Sequence, residues 1–171
     1  MPRAPDTDSM RGASFIPNTL AGQGPQDDAR PADIPRRLPI LRMMFELEVR
    51  RIFSAAHALL LRGEREVLHG HDWQVDLTIA ASSLDADELA FDFHQLERIL
   101  DSVLQPFQSA NLNATPPFDR VNPSAEAVAC YVAQEVARHL PKGVRVHAVR
   151  VTEAPGCAAR FIPSAEEAAC S

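Results

Sequence analysis

Cysteine is scarce in this chain. Cys130, Cys157 and Cys170 are few, odd in number and far apart, which excludes a disulfide framework and fits a reducing compartment. Basic charge is short as well. Lys and Arg total 17 against 23 Asp and Glu, a net charge of −6 with a pI near 5.5. A nucleic-acid partner, which needs a basic field, is therefore not expected; a small anion held by a local basic cluster is still open. Long apolar runs are missing too, and none approaches a membrane span. The opening MPRAPDTDSM has early acidic residues and no apolar stretch behind it, which argues against a secretory signal. The expectation is a cytoplasmic protein with neither membrane nor nucleic acid as partner.

The chain's 171 residues, 46% of them apolar and 23% charged, suit one globular domain. The first forty or so read differently from the rest. Seven of the 14 prolines fall between Pro2 and Pro39, among Asp, Arg, Gly and Gln, with no apolar period. Such a stretch buries too little surface to offset its ordering entropy. Residues 1–43 are expected to be a disordered leader, 44–163 the domain, and 164–171 a flexible tail.

From Phe45 the pattern is regular. Phe45, Leu47 and Val49 alternate with Glu46, Glu48 and Arg50, and Phe53, Ala55 and His57 resume the parity. After a linker with Arg62 and Gly63, one face of a second strand carries His69, His71, Trp73, Val75, Leu77 and Ile79. Its other face carries Asp72, Gln74, Asp76 and Thr78. Two helices are predicted next. One is capped by Asp92 and runs through Leu96, Leu100 and Leu104 to Phe107; the other opens at Asn122-Pro123 as N-cap and first turn. Two final strands, Val144–Glu153 and Cys157–Ile162, turn at Ala154-Pro155-Gly156, with a bulge where the apolar phase slips between Ala148 and Val149. The order ββααββ predicts an α+β fold, an antiparallel sheet covered on one face by two helices. Its open edge strands predict an oligomeric barrel.

His69 and His71 are two apart on a strand and share its core-facing side. His57 ends the preceding strand on the same parity, and a hairpin through 58–68 would set it across from them. Three converging imidazoles are the ligand set of a catalytic zinc site, which keeps a fourth position open. A thiolate-rich structural site is excluded, because no cysteine is near. His94, His139 and His147 have no partner spacing and read as ordinary.

Phe53-Ser54-Ala55-Ala56-His57 and Leu68-His69-Gly70-His71 resemble the F-x-A-A-H and L-H-G-H motifs of the 6-pyruvoyl- and 6-carboxy-tetrahydropterin synthases. Phe91-Asp92-Phe93 with Leu96, Leu112-Asn113, Asn122-Pro123-Ser124-Ala125-Glu126 and Val151-Thr152-Glu153 resemble four further motifs of that family, in order, between about Phe45 and Ile162. The resemblance implies the tunnelling fold, subunits assembled as a homo-hexamer (a dimer of trimers), and Zn2+ on His57, His69 and His71. It implies a substrate like 7,8-dihydroneopterin triphosphate and, by way of one branch, a link to queuosine biosynthesis. Glu153 matches the glutamate that anchors the pterin ring, a carboxylate suited to a two-pronged donor edge, though a solvated strand-end acid would look the same. Ser124 and Glu126 fall in the N-P-T-[SA]-E segment and are candidate substrate contacts; Glu126 also suits a helix first turn on its own account.

The family's proton-transfer groups are absent. A cysteine four residues before H-G-H is replaced by Arg65, and an Asp-His pair before L-N by Gln108-Ser109. General acid–base groups each contribute roughly a hundred- to ten-thousand-fold in rate. Glu66 and Glu64 flank the vacant position and are the candidate substitute bases, a role open to a glutamate of raised pKa. Arg65, with Arg62, is a candidate for a phosphate tail. The same Glu64-Arg65-Glu66 run also fits a solvated charged turn. Two readings stand at this point: a zinc-dependent pterin lyase with altered catalytic groups, or a zinc- and pterin-binding homologue without turnover.

Overall fold

The computed structural model describes residues 44–164; the expected leader and the tail beyond Ser164 lie outside the described residues. Alternating apolar side chains build β1 (Phe45–His57), which leads into a small hairpin of β2 (Leu60–Leu61) and β3 (Glu64–Arg65). Its turn residues Arg62 and Gly63 are both left-handed, at φ 53° and 89°, the backbone that a two-residue hairpin turn demands. β4 (His69–Ala81) then returns antiparallel to β1 along its whole length.

α1 (Phe93–Leu104) is capped by Asp92, whose side chain accepts from the His94 N–H. It ends before the predicted Phe107, which sits in a 3-10 turn over Gln105–Phe107 with Pro106 near its start. A short strand not foreseen from the sequence, β5 (Ala110–Asn111), pairs parallel with Ala55–Ala56 of β1. α2 (Ala125–Ala137) is capped by Ser124 rather than the predicted Asn122. The Ser124 hydroxyl accepts from the Ala127 N–H, and Asn122 is engaged elsewhere. β6 (Val144–Ala154) and β7 (Cys157–Phe161) complete a sheet of order β5-β1-β4-β6-β7. Gly156, at φ 83° after Pro155, makes their turn. The predicted bulge is present: Thr78 faces Ala148 but Ile79 faces Val146, so His147 is the extra residue.

The core lies between the sheet and the helices. Phe53 stacks on Trp73 with ring centroids 5.9 Å apart, and Phe107 joins Phe53 to Phe118 and Tyr131. Leu96 and Leu100 of α1, and Val128, Val132 and Val136 of α2, are fully buried against this layer. On the opposite, polar face of β4, Asp76 and Thr78 are both buried. Asp76 is covered by Arg50 from β1 and Arg150 from β6, its register partners, which bond both of its oxygens. Long arginine stems lie over the carboxylate they neutralise. Among the described residues, no helix is long and apolar enough to cross a membrane.

Candidate metal centre

The histidines meet at one end of the sheet because of strand register. His57 is paired directly with His69, and His71 with Ala55, so all three imidazoles stand on the same face of adjacent strands. Their rings cluster, with centroids 4.7 Å (His57–His69), 5.0 Å (His57–His71) and 5.7 Å (His69–His71) apart. Trp73, the next inward residue of β4, lies under the His57 and His71 rings. Glu153 arrives from β6 on the parity of Val149 and Val151. One ligand atom each from His57, His69, His71 and Glu153 lies within 4.8 Å of all the others.

Hydrogen bonding decides which nitrogens point inward. His57 Nδ1 is 2.8 Å from the Pro123 carbonyl and His69 Nδ1 is 2.9 Å from the Val67 carbonyl. A carbonyl only accepts, so each Nδ1 carries a proton, and in the neutral ring that leaves the Nε2 lone pair facing inward. His57 Nε2 is 3.1 Å from His71 Nε2 and 3.1 Å from Glu153 Oε1, which is itself 3.6 Å from His71 Nε2. Lone pairs and a carboxylate crowded this closely repel one another unless a cation or shared protons lie among them. Three imidazole nitrogens, with the Glu153 carboxylate beside them, therefore fit a divalent transition metal such as zinc. His71 is tuned the same way: burial, and then the neighbouring His57, hold its pKa below the ordinary histidine value against the opposing pull of Glu153. A lowered pKa keeps the ring neutral, the form that binds metal.

The cluster opens into a cleft of about 610 Å³ lined by Ile52, Gln74, Thr152, Asp72, His69, His71 and Glu153, a size suited to a small molecule. A larger cavity of about 820 Å³ lies at the other end of the sheet, beside the C-terminal end of α2. No metal-capable cluster of described residues is found there, so the histidine cleft is the candidate site.

The remaining candidates fall around this centre unevenly. Glu153 is within it. Glu64 and Arg65 form β3 and are exposed. Glu66 is half-buried, and its Oε2 accepts from the Leu59 N–H at 3.2 Å. Glu126 is exposed in the first turn of α2, and Ser124 is its cap. Gln108 and Ser109, in the positions of the missing Asp-His pair, are exposed, and Ser109 N–H donates to Ser54 at 2.6 Å. Sequence reasoning missed the role of Pro123, because a backbone carbonyl leaves no side-chain signature.

A profile of the 6-pyruvoyl tetrahydropterin synthase family matches residues 46–163. The chain belongs to that family. A protein of Archaeoglobus fulgidus, provisionally assigned as a 6-carboxy-5,6,7,8-tetrahydropterin synthase, is 30% identical over 101 residues, covering 59% of this chain and 81% of that protein. Among solved structures, Caenorhabditis elegans 6-pyruvoyl tetrahydropterin synthase superposes with a TM-score of 0.63 at 19% identity, covering 71% of this chain and 97% of its own. The Plasmodium vivax enzyme, solved with a catalytic glutamate replaced by alanine, gives 0.59 at 18% identity and covers 71% and 99%. These structures share the fold of this family member.

Proposed function

We propose that the protein is a zinc-dependent, lyase-type enzyme acting on a pterin like 7,8-dihydroneopterin triphosphate, of the 6-carboxy- or 6-pyruvoyl-tetrahydropterin synthase kind. The observation that carries the reading is the convergence of His57, His69, His71 and Glu153, the last three of which also line a ligand-sized cleft. Zinc, when bound, would supply a Lewis acid for the hydroxyls of the substrate side chain. Glu153 is the proposed ring anchor, a carboxylate for paired N–H donors. Ser124, Glu126 and Arg65 are proposed substrate contacts. Glu66, with Glu64 as the alternative, is the proposed base in place of the missing cysteine. Assembly as a homo-hexamer in the cytoplasm completes the proposal, supported by the open edge strand β7.

One observation favours the second reading, a pterin-binding homologue without turnover. Arg65, Gln108 and Ser109 offer no proton-transfer group, and Glu66 already accepts a backbone hydrogen bond. The test is to load the purified protein with zinc, add 7,8-dihydroneopterin triphosphate with and without acetaldehyde, and follow products by mass. Turnover that falls at least a hundredfold in Glu66→Gln supports the enzyme with Glu66 as base. Turnover that survives Glu66→Gln and Glu64→Gln removes both as bases, and tight pterin binding without product establishes the second reading.

A further inference from the structure

Immediately after His57 the chain leaves the ladder, since His57–His69 is the last pair between β1 and β4. Three residues, Ala58, Leu59 and Leu60, therefore need other partners for their backbone groups, and Ala58 is buried. The partners are mostly side chains. Asn113 Oδ1 accepts from the Ala58 N–H at 2.8 Å, and its Nδ2 donates to the Ala58 carbonyl at 2.9 Å. Asn122 treats Leu60 in the same way, at 2.8 and 3.2 Å. Between them, Leu59 is held by Glu66, whose backbone N–H donates to the Leu59 carbonyl at 2.9 Å while its carboxylate accepts from the Leu59 N–H. All six backbone groups of three consecutive residues are thus satisfied. An asparagine amide offers an acceptor and a donor side by side, as a peptide group does. Aspartate lacks the donor, and alanine lacks both.

We propose that Asn113 and Asn122 are positioning residues of the metal centre, each standing in for a neighbouring strand and together fixing the His57 imidazole. The link is short. Asn122 precedes Pro123, whose carbonyl holds His57 Nδ1, so one dipeptide grips both the metal-binding ring and the backbone three residues beyond it. Asn113 grips the residue adjacent to His57 from the other side of the same loop. Loosening either lets the Pro123 carbonyl and the ring move apart, and the inward-facing Nε2 loses its fixed aim. Partners that orient a ligand typically contribute ten- to a hundredfold in metal affinity. The asparagines act one bond further out, which sets the expectation at about tenfold. The inference rests on the metal reading of the histidine cluster.

The experiment uses the full chain stripped of metal. Co2+ binding is followed by its visible d–d absorption, Zn2+ affinity by competition with a chromophoric chelator, and apoprotein stability by urea. The variants are Asn113→Ala, Asn122→Ala, the two Asn→Asp forms and His69→Ala. The expected result is roughly tenfold weaker Zn2+ binding and an altered Co2+ spectrum for each Asn→Ala, with the Asp forms between them and the wild type. If His69→Ala abolishes binding while folded Asn variants keep wild-type affinity and spectrum, the positioning role is overturned and the metal reading stands. A lowered urea midpoint with unchanged affinity and spectrum has the same meaning, since a purely structural role would produce that result. If the wild type binds neither ion, the metal reading fails and takes this inference with it. Should Asn113→Ala fail to fold, Asn113→Asp and the exposed Asn122→Ala decide the matter.

Discussion

Zinc should raise the melting temperature of this protein by about 10 °C at a free concentration a hundred times its Kd. His57 comes from β1, and His69 and His71 from β4. An unfolded chain does not hold the three imidazoles together, so binding free energy becomes folding free energy. One site filled at a hundred times Kd stabilises by about 2.7 kcal/mol. For a domain of roughly 120 residues, each kcal/mol moves the midpoint by about 3–5 °C. The assay is differential scanning fluorimetry of chelator-stripped protein against a Zn2+ series at pH 7.5, repeated with His69→Ala. The variant should lose most of the shift, because removing one imidazole leaves only two. Protons compete with metal for the rings, so the shift should shrink as pH falls. His71 resists protonation more than an ordinary histidine does, since burial and then His57 hold its pKa down. A midpoint that zinc leaves unmoved, or moves equally in His69→Ala, refutes the assignment of the cluster as a metal centre.

Other outcomes follow from the packing. Burial alone would raise the pKa of Asp76, but the Arg50 hydrogen bond and charge, with Gln74 and Arg150, bring it below the ordinary value. Its stabilising contribution is therefore present above the unfolded carboxyl pKa, about 3.9, and is lost as pH falls through the lower folded value. Asp76→Ala should cost about 2 kcal/mol in urea unfolding at pH 7. The gap to the wild type should narrow below pH 3; a gap of the same size there would contradict the ion-pair account. Ser124→Ala should lower stability by about 1 kcal/mol through loss of the α2 cap, readable in the same urea curves, and an unchanged midpoint would argue against capping as its structural role. Phe107→Ala should destabilise by about 3–5 kcal/mol, because the ring is fully buried between Phe53, Phe118 and Tyr131; calorimetry would expose a smaller effect.

The first two long strands were legible because their apolar residues recur mostly with a period of two, and the same parity showed that His57, His69 and His71 share a face. Hairpin closure then follows from the length of the connection. The helix ends were less legible: both Asn122 and Ser124 are good N-cap residues, and only the tertiary bond from Asn122 to Leu60 decides for Ser124. The burial of Asp76 comes from arginine stems on two other strands, which a single segment cannot reveal. The strand β5 is two residues long, too short for any period. Within the site, Glu153 was recognised through motif likeness, whereas its distance to His57 depends on the register of β6 across the whole sheet. The asparagine contacts to residues 58–60 were invisible for a related reason, since side chains that replace a ladder leave no pattern in the segment they hold.

The pairing of β1 with β4 also bears on timing. These strands are joined by a short hairpin, and local antiparallel pairs form early, before contacts of high sequence separation repay their loop-closure entropy. That hairpin alone carries all three imidazoles, while Glu153 waits for β6, which follows both helices in the chain. A nascent chain can thus present its imidazoles as a set before the sheet is complete. Metal captured at that stage would hold the β1–β4 register, in which a slip of one residue turns every side chain of a strand to the other face.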